Sequence, residues 1–244
     1  MLASVLRDAA RQYRRRPLAA APSLVVGGAS VALQWAPGPV RDPGAIVVVV
    51  VGVLAELFQI AYLAGALASG GSGAVEPGGG GAAAAVAAAR RSAGPGLRAA
   101  LLLFAYLAIA YMVALLLLGT RDVTTLTGRQ ETAFQVGVGP LLAVAFAFLA
   151  VLSQGIVLGG ERRARLAAVA SHRVAAVHFP ICLVIGLVQA LAWVLGGFSP
   201  GVAAQLAITV CLGLVDPLRI AASNSLFLAT RSLHAAEPVR PPRR

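Results

Sequence analysis

Residues 45–68, AIVVVVVGVLAELFQIAYLAGALA, decide the fold class of this protein. The stretch contains one charged residue, Glu56, and exceeds the roughly 20 mostly apolar residues that a helix needs to cross about 30 Å of hydrocarbon. The whole chain agrees with it, since its 244 residues have a mean hydropathy of +0.84, 59% are hydrophobic and 12% are charged. A soluble domain of this composition would expose too much apolar surface. We therefore predict an integral membrane protein.

Six windows are apolar and long enough to cross the bilayer, which predicts an all-α, six-helix membrane bundle. They are residues 18–36, 45–68, 99–118, 136–158, 174–196 and 202–226. We expect residues 1–17 to form an interfacial amphipathic helix, residues 18–230 the transmembrane domain and residues 231–244 a basic cytoplasmic tail. An even number of crossings places both termini on the same side of the membrane.

The arginines identify that side, because basic residues near helix ends are retained in the cytoplasm. All 20 basic residues are arginine. The amino-terminal segment, the second and fourth connections and the tail hold 16 of them, whereas the opposite side holds three, Arg41, Arg121 and Arg129. We expect a cell-membrane location with both termini in the cytoplasm. Contact with anionic lipid head groups then accounts for the net charge of +11, and we expect no nucleic-acid partner.

The first residues have the pattern of an amphipathic surface helix. Apolar side chains recur at helical spacing with charged or polar residues between them: Leu2, Val5, Leu6, Ala9 and Tyr13. We expect Leu2, Val5, Leu6 and Tyr13 to insert into the head-group region. The basic belt predicted to face the lipid consists of Arg7, Arg11, Arg14, Arg15, Arg16, Arg162 and Arg163.

Two connections on the predicted cytoplasmic side contain Ala-rich segments, residues 82–91 and 161–174, which we expect to form short helices. The first follows a glycine-rich linker over residues 69–81, which lacks the Gly-Lys-Ser/Thr ending of a phosphate-binding loop. Residues 84–87 and 167–170 both read Ala-Ala-Val-Ala and both precede an arginine. This match indicates either an internal repeat in parallel orientation or a coincidence in Ala-rich sequence.

The order of several motifs resembles that of a group of six-helix membrane proteins. The motifs are Arg-Arg-Arg-Pro at residues 14–17, Gly159-Gly160-Glu161, the following helix with Ser171 and Arg173, and Asp216-Pro217 in the last window. The group comprises the membrane domain attached to some glycerophosphodiester phosphodiesterases and stand-alone prokaryotic relatives without assigned function. The resemblance implies a helical membrane domain whose catalytic partner, where one exists, is a separate soluble domain. We expect this chain to have no room for that soluble domain beside its six helices, so the resemblance does not imply phosphodiesterase activity.

Three charged residues lie at membrane depth, where each costs about 2.5–3.5 kcal/mol on insertion scales. Glu56 lies roughly 16 Å from the start of its window, close to the midplane, at about 1.5 Å per residue. Asp216 and Arg219 share one face of the last helix at spacing i, i+3. We predict a cluster of all three, acting either as an internal ion pair that joins helices or as an ion relay or polar substrate path. Snorkelling of Arg219 toward the head groups is the remaining alternative.

Neutral polar residues also occur in the windows, and such residues more often form hydrogen bonds between helices than line a pore. They include Gln59, Gln154, Gln189, Gln205 and Asn224. Cys182 and Cys211 lie in apolar runs without ligand-spaced neighbours, so we expect no metal and no cofactor. The residue patterns of serine hydrolases and zinc proteases do not occur in the sequence, and we expect no enzyme.

Two classes of function follow from these features. The first is a non-enzymatic scaffold or assembly subunit that packs against other membrane protein subunits, and the near-neutralisation of the intramembrane charges favours it. The alternative is the permease subunit of an ABC-type or other transporter. An ABC-type permease would need a separate ATPase, because the chain has no Walker motif.

Overall fold

The computed structural model describes residues 1–68, 81–120, 128–197 and 201–236. Within these ranges all regular secondary structure is helical, which confirms the predicted all-α class. The helices are α1 (Leu2–Arg15), α2 (Ala20–Gln34), α3 (Gly38–Ala68), α4 (Ala82–Leu117), α5 (Arg129–Phe148), α6 (Leu152–Val157), α7 (Ala164–Val177), α8 (Phe179–Gly197) and α9 (Val202–Ala236), with a 3-10 turn at Pro17–Ala19. The predicted linker over residues 69–81, apart from Gly81, lies outside the described residues, as do Arg121 and residues 237–244 of the predicted tail.

Several helical segments of the described chain are long and apolar enough to cross a membrane. Five qualify on their own: Pro17–Gln34, Gly38–Leu67, Ala82–Leu117, Val136–Val157 and Val202–Arg231. A bent pair, α7 with α8, makes a sixth if it counts as one span. The prediction of about six membrane-length helices is therefore confirmed at this level.

The fifth predicted window, residues 174–196, is wrong at its start. Residues 174–177 belong to α7, and α8 begins only at Phe179, after a bend of 115°. Pro180 explains the break, because it has no amide hydrogen to bond the Ala176 carbonyl and its ring would clash with that carbonyl in a continuous helix. Proline is nevertheless well suited to the first turn of a new helix. The predicted helix over residues 161–174 is present as α7.

The predicted short helix over residues 82–91 is not a separate element. It forms the first part of α4, which is continuous from Ala82 to Leu117. Alanine has the highest helix propensity, and Pro95 removes only one backbone hydrogen bond, so the helix continues across it. The two segments that match in sequence therefore differ in shape, since α4 is continuous whereas α7 and α8 are sharply bent, which favours coincidence over an internal repeat.

The fourth window contains a break that no local feature of the sequence indicates. α5 ends at Phe148, α6 begins at Leu152, and i→i−3 hydrogen bonds hold the turn between them. The Ser171 hydroxyl on α7 donates to the Phe148 carbonyl at 2.8 Å and accepts from the Val151 amide at 3.3 Å. Ser171 therefore supplies partners for backbone groups at the ends of two helices and fixes α7 against the turn.

Close contacts between helices hold the bundle together. The main core cluster joins α1, α3, α8 and α9 through buried residues such as Val5, Ile60, Ile185 and Leu226. α5 and α8 approach so closely that a Cβ atom at Gly186 would lie within van der Waals overlap, 2.3 Å from the Ala143 carbonyl oxygen. Small residues of this kind permit the dense packing that membrane helices depend on.

The amino-terminal helix α1 packs against α9 and α3. Its buried face contains Val5, Ala9 and Gln12, whereas Leu2 and Leu6 are exposed. The predicted helix is present, but Val5 lies in the protein core instead of in the head-group region. The apolar stripe of α1 is therefore divided between the bundle and its surroundings.

Candidate functional site

The structure brings the three predicted membrane-depth charges together. Arg219 Nε lies 2.7 Å from Asp216 Oδ1, one turn away on α9. Arg219 Nη2 lies 3.9 Å from Glu56 Oε1 on α3. The Arg219 side chain is only 8% exposed, and those of Asp216 and Glu56 are 32% and 33% exposed. Arg219 therefore points to the two carboxylates instead of snorkelling to the protein surface.

Hydrogen bonds from neighbouring helices orient this charge cluster, which consists of Glu56, Asp216 and Arg219. The Ser23 hydroxyl on α2 donates to Asp216 Oδ2 at 2.8 Å. Gln59 Nε2 on α3 in turn donates to Ser23 Oγ at 2.7 Å and to the Ala19 carbonyl at 2.6 Å. Ser153 makes a side-chain hydrogen bond to Glu56. The cluster thus joins α2, α3, α6 and α9 through polar contacts.

Pro217 follows Asp216 inside α9 and is buried. Because proline has no amide hydrogen, it cannot make the helical bond to the carbonyl four residues earlier, at Gly213. Gly213 itself packs closely on α2, since a Cβ there would lie 2.6 Å from the Leu24 side chain. The helix therefore lacks one backbone hydrogen bond at the level where α2 and α9 approach each other.

The charge cluster lies at the wall of an open cleft between α2, α3, α8 and α9, with a volume of about 590 Å³. Apart from the cluster, the cleft contains neutral polar side chains and small or apolar residues. The polar ones are Ser23, Ser30, Gln34, Gln59, Gln189 and Thr209. A polar lining of this kind suits water or a polar solute, because each group can exchange hydrogen bonds with an occupant.

One end of the cleft is bordered by polar contacts between the end of α2 and the start of α9. Gln205 Nε2 donates to Gln34 Oε1 at 2.7 Å, and Trp35 Nε1 donates to Gln205 Oε1 at 3.3 Å. Trp35 and Gln34 are exposed. A tryptophan with its N–H engaged at a helix end is typical of a membrane–water boundary.

A smaller chamber of about 70 Å³ lies on the other side of Glu56, between α3, α4, α5, α6, α8 and α9. Glu56, Gln189 and Arg219 border both the cleft and this chamber. Gln154 also lines the chamber, and its buried Nε2 has no hydrogen-bond partner among the described residues. A chamber of this size holds about two waters, which would satisfy that donor.

A second polar cluster anchors α1 to α9. Gln12 is fully buried and donates to the Ala221 carbonyl at 3.1 Å and to Ser225 Oγ at 2.8 Å. Asn224 Nδ2 bonds the Ile60 carbonyl at 3.1 Å and approaches Gln12 Oε1 at 3.4 Å. Asn224 and Gln59 therefore act as interhelical hydrogen-bonding residues, as the sequence predicts.

Two arginines of the predicted lipid-facing belt instead form contacts with another helix of the protein, α3. Arg15 Nη1 donates to the Ala66 carbonyl at 2.9 Å, and Arg16 donates to the Tyr62 carbonyl with its guanidinium 4.5 Å from the Tyr62 ring centroid. Both carbonyls lie in the last turns of α3, where a cation is favourable. The remaining belt residues are exposed: Arg7, Arg11, Arg14, Arg162 and Arg163.

The fold and the cleft define a class of protein, an all-helical chain with several membrane-length helices, which fits a multi-pass membrane protein. Comparison of the chain with protein-family models, curated proteins and solved structures finds no match. The resemblance to the six-helix membrane domains therefore stays a prediction from the sequence motifs. The cleft is then the main basis for a functional proposal.

The sequence indicates the three charges but not the residues that orient them. Ser23, Ser153 and Gln12 are essential members of the polar clusters, yet none stands out in the sequence. Gln12 does have a weak signal, because it falls at spacing i, i+3 from Ala9 on the apolar side of α1.

Proposed function

We propose that this protein crosses the cell membrane six times, through α2, α3, α4, α5 with α6, α8 and α9. In this topology both termini are cytoplasmic, α1 and α7 lie at the cytoplasmic surface, and the Gln34 end of the cleft faces the outside. The asymmetry of the arginines supports this orientation. The exposed arginines of α1 and of the residues before α7 then contact anionic lipid head groups.

We further propose that the protein is the membrane-embedded, solute-binding subunit of a transport system, which was the alternative from the sequence. The observation that supports it is that the charge cluster borders an open cleft of about 590 Å³. An ion pair that only joins helices needs no cavity beside it, because closely packed side chains around it would join the helices equally well. A polar cleft at membrane depth is the usual form of a solute site.

The experiment that tests this proposal measures whether water reaches the cleft. Ser30 lines the cleft on α2, whereas the adjacent Ala29 is exposed outside it and lies at nearly the same depth. In a background with Cys182→Ala and Cys211→Ala, each position is changed to cysteine, and the reconstituted proteins are treated with a membrane-impermeant methanethiosulfonate reagent.

We expect Ser30→Cys to react at least about tenfold faster than Ala29→Cys, because a thiol in hydrocarbon rarely ionises to the reactive thiolate. Reaction should occur from the outer side. Equal, slow reaction at both positions would mean that the cleft is dry and would refute the solute-binding function.

The scaffold or assembly role is the second candidate, and the low burial of the spans favours it. Only 17% of the window is buried in Pro17–Gln34, and 22% in each of Gly38–Leu67 and Ala82–Leu117. Such surfaces suit other membrane protein subunits as well as lipid. Purification from the native membrane under mild conditions distinguishes the candidates: a stoichiometric ATPase supports the transporter, and an unrelated membrane complex supports the scaffold.

A further inference from the structure

The formal charges of the side chains that line the cleft sum to one negative charge. Among the described residues that line it, Glu56 and Asp216 are acidic and Arg219 is basic, and the others are neutral. A charge imbalance between apolar walls is screened less than it would be in bulk water. An occupant with one positive charge would therefore complete the site electrostatically.

The two carboxylates differ in how far their oxygens are already occupied. Asp216 receives Arg219 Nε on one oxygen at 2.7 Å and Ser23 Oγ on the other at 2.8 Å. Glu56 accepts a hydrogen bond from Ser153 and lies 3.9 Å from Arg219 Nη2, beyond hydrogen-bonding distance, so it keeps more acceptor capacity than Asp216. Asp216 and Arg219 thus form a fixed pair, and Glu56 is the carboxylate available to an occupant.

Glu56 also lies at the junction of the cleft and the small chamber. The unpartnered Nε2 of Gln154, which is 2% exposed, lines that chamber and calls for an acceptor such as water. Glu56 therefore borders the small chamber on one side and the larger cleft on the other. This position suits a carboxylate that binds and releases a solute.

Resting on the proposed function, we propose that the cleft binds a small organic ammonium ion, with Glu56 as the carboxylate that binds the cationic group. Asp216 and Arg219 act as positioning residues. The volume of about 590 Å³ is within the usual range for small-molecule sites. The apolar wall residues Val26, Val188 and Leu212 provide contacts for the organic part of the ligand.

The test compares a cationic with an anionic thiol reagent on the Ser30→Cys protein in the background without native cysteines. The reagents are trimethylammonioethyl and sulfonatoethyl methanethiosulfonate, and their rate ratio on a free thiol in solution is the reference. We expect the ratio in the cleft to favour the cation by about tenfold over that reference. Glu56→Gln should return this rate ratio to near the reference value. Glu161 is a carboxylate outside the cleft, so Glu161→Gln should leave the ratio unchanged.

Protection by a probe ligand identifies the class of occupant. Tetramethylammonium at millimolar concentration should slow modification of Ser30→Cys when Glu56 is present and not in the Glu56→Gln variant. Sodium at equal concentration should protect much less; equal or better protection by sodium would overturn the assignment to an organic ammonium ion.

The outcomes separate this inference from the function on which it rests. If neither reagent reacts, the cleft is dry and the proposed function fails. If both react at the reference ratio, the cleft is wet but has no cationic preference, and only the inference fails. The rate ratio of the two reagents in the Ser30→Cys protein that retains Glu56 decides whether the cleft prefers cations, even if Glu56→Gln does not fold.

Discussion

Removal of Arg219 is the most direct perturbation of the charge cluster. Arg219→Ala leaves Glu56 and Asp216 facing each other without their shared cation. Removing one partner of a buried ion pair costs about 3–5 kcal/mol, because the remaining charge is uncompensated in low dielectric. Asp216 and Glu56 are 32% and 33% exposed in the cleft, so we expect the lower end, about 3 kcal/mol.

A loss of about 3 kcal/mol corresponds to more than a hundredfold change in the folding equilibrium. For a chain of this size it should lower the thermal denaturation midpoint by about 6–12 °C. The midpoint is measured on protein in lipid nanodiscs, together with the folded yield from size-exclusion chromatography. Arg231→Gln is a matched control, because Arg231 makes an exposed hydrogen bond to the Leu158 carbonyl at 3.1 Å.

The companion variant combines Glu56→Gln, Asp216→Asn and Arg219→Gln. It removes all three charges and keeps side chains that can hydrogen-bond, so it should recover most of the stability lost by Arg219→Ala. In a scaffold the triple variant should also keep its function, whereas a solute-binding subunit should lose it. An Arg219→Ala protein as stable as the parent, or a triple variant no more stable than the single one, would show that the charges of the cluster do not stabilise the fold together.

Three further predictions concern packing and topology. Gln12→Leu should destabilise the docking of α1 by about 1–3 kcal/mol, because Asn224 and Ser225 lose a buried partner; faster trypsin cleavage within α1 checks this, with Ser4→Ala as control. Gly186→Ala should destabilise the α5–α8 contact by about 1–3 kcal/mol, since the new Cβ would overlap the Ala143 carbonyl. Gly137→Ala, which meets nothing within 4 Å, should not lower the denaturation midpoint. A cysteine at Ser72 should react with an impermeant reagent only from the cytoplasmic side and one at Arg129 only from outside; the reversed pattern would overturn the topology.

The helices and the membrane-depth charges are predictable because both depend on local sequence. An apolar run longer than the hydrocarbon thickness favours a helix wherever it occurs. The i, i+3 spacing brings Arg219 to Asp216 within α9 without any other helix. A carboxylate inside an apolar helix is costly unless it is paired, which is the reason to expect Glu56 beside Arg219.

The cleft and its hydrogen bonds are not predictable, because they depend on which helix faces pack together. Ser23 and Ser30 lie in the same apolar run, yet Ser23 bonds Asp216 and Ser30 bonds the Val26 carbonyl of its own helix. Proline is a similarly ambiguous signal for the start of a helix, since Pro95 lies inside the continuous helix α4 whereas Pro180 lies in the first turn of α8. Tertiary contacts, which no single window contains, decide between these outcomes.

The docking of α1 also sets an order of assembly during synthesis. Gln12 and Asn224 are 212 residues apart, and the helices α2 to α8 are translated between them. α1 therefore leaves the ribosome long before its partners on α9 exist, and in the proposed topology its exposed arginines contact the anionic leaflet in the meantime. Contacts of such long sequence separation form slowly and late. A nascent chain that stalls before α9 would accordingly leave the buried face of α1, with Val5, Ala9 and Gln12, without its contacts to α9.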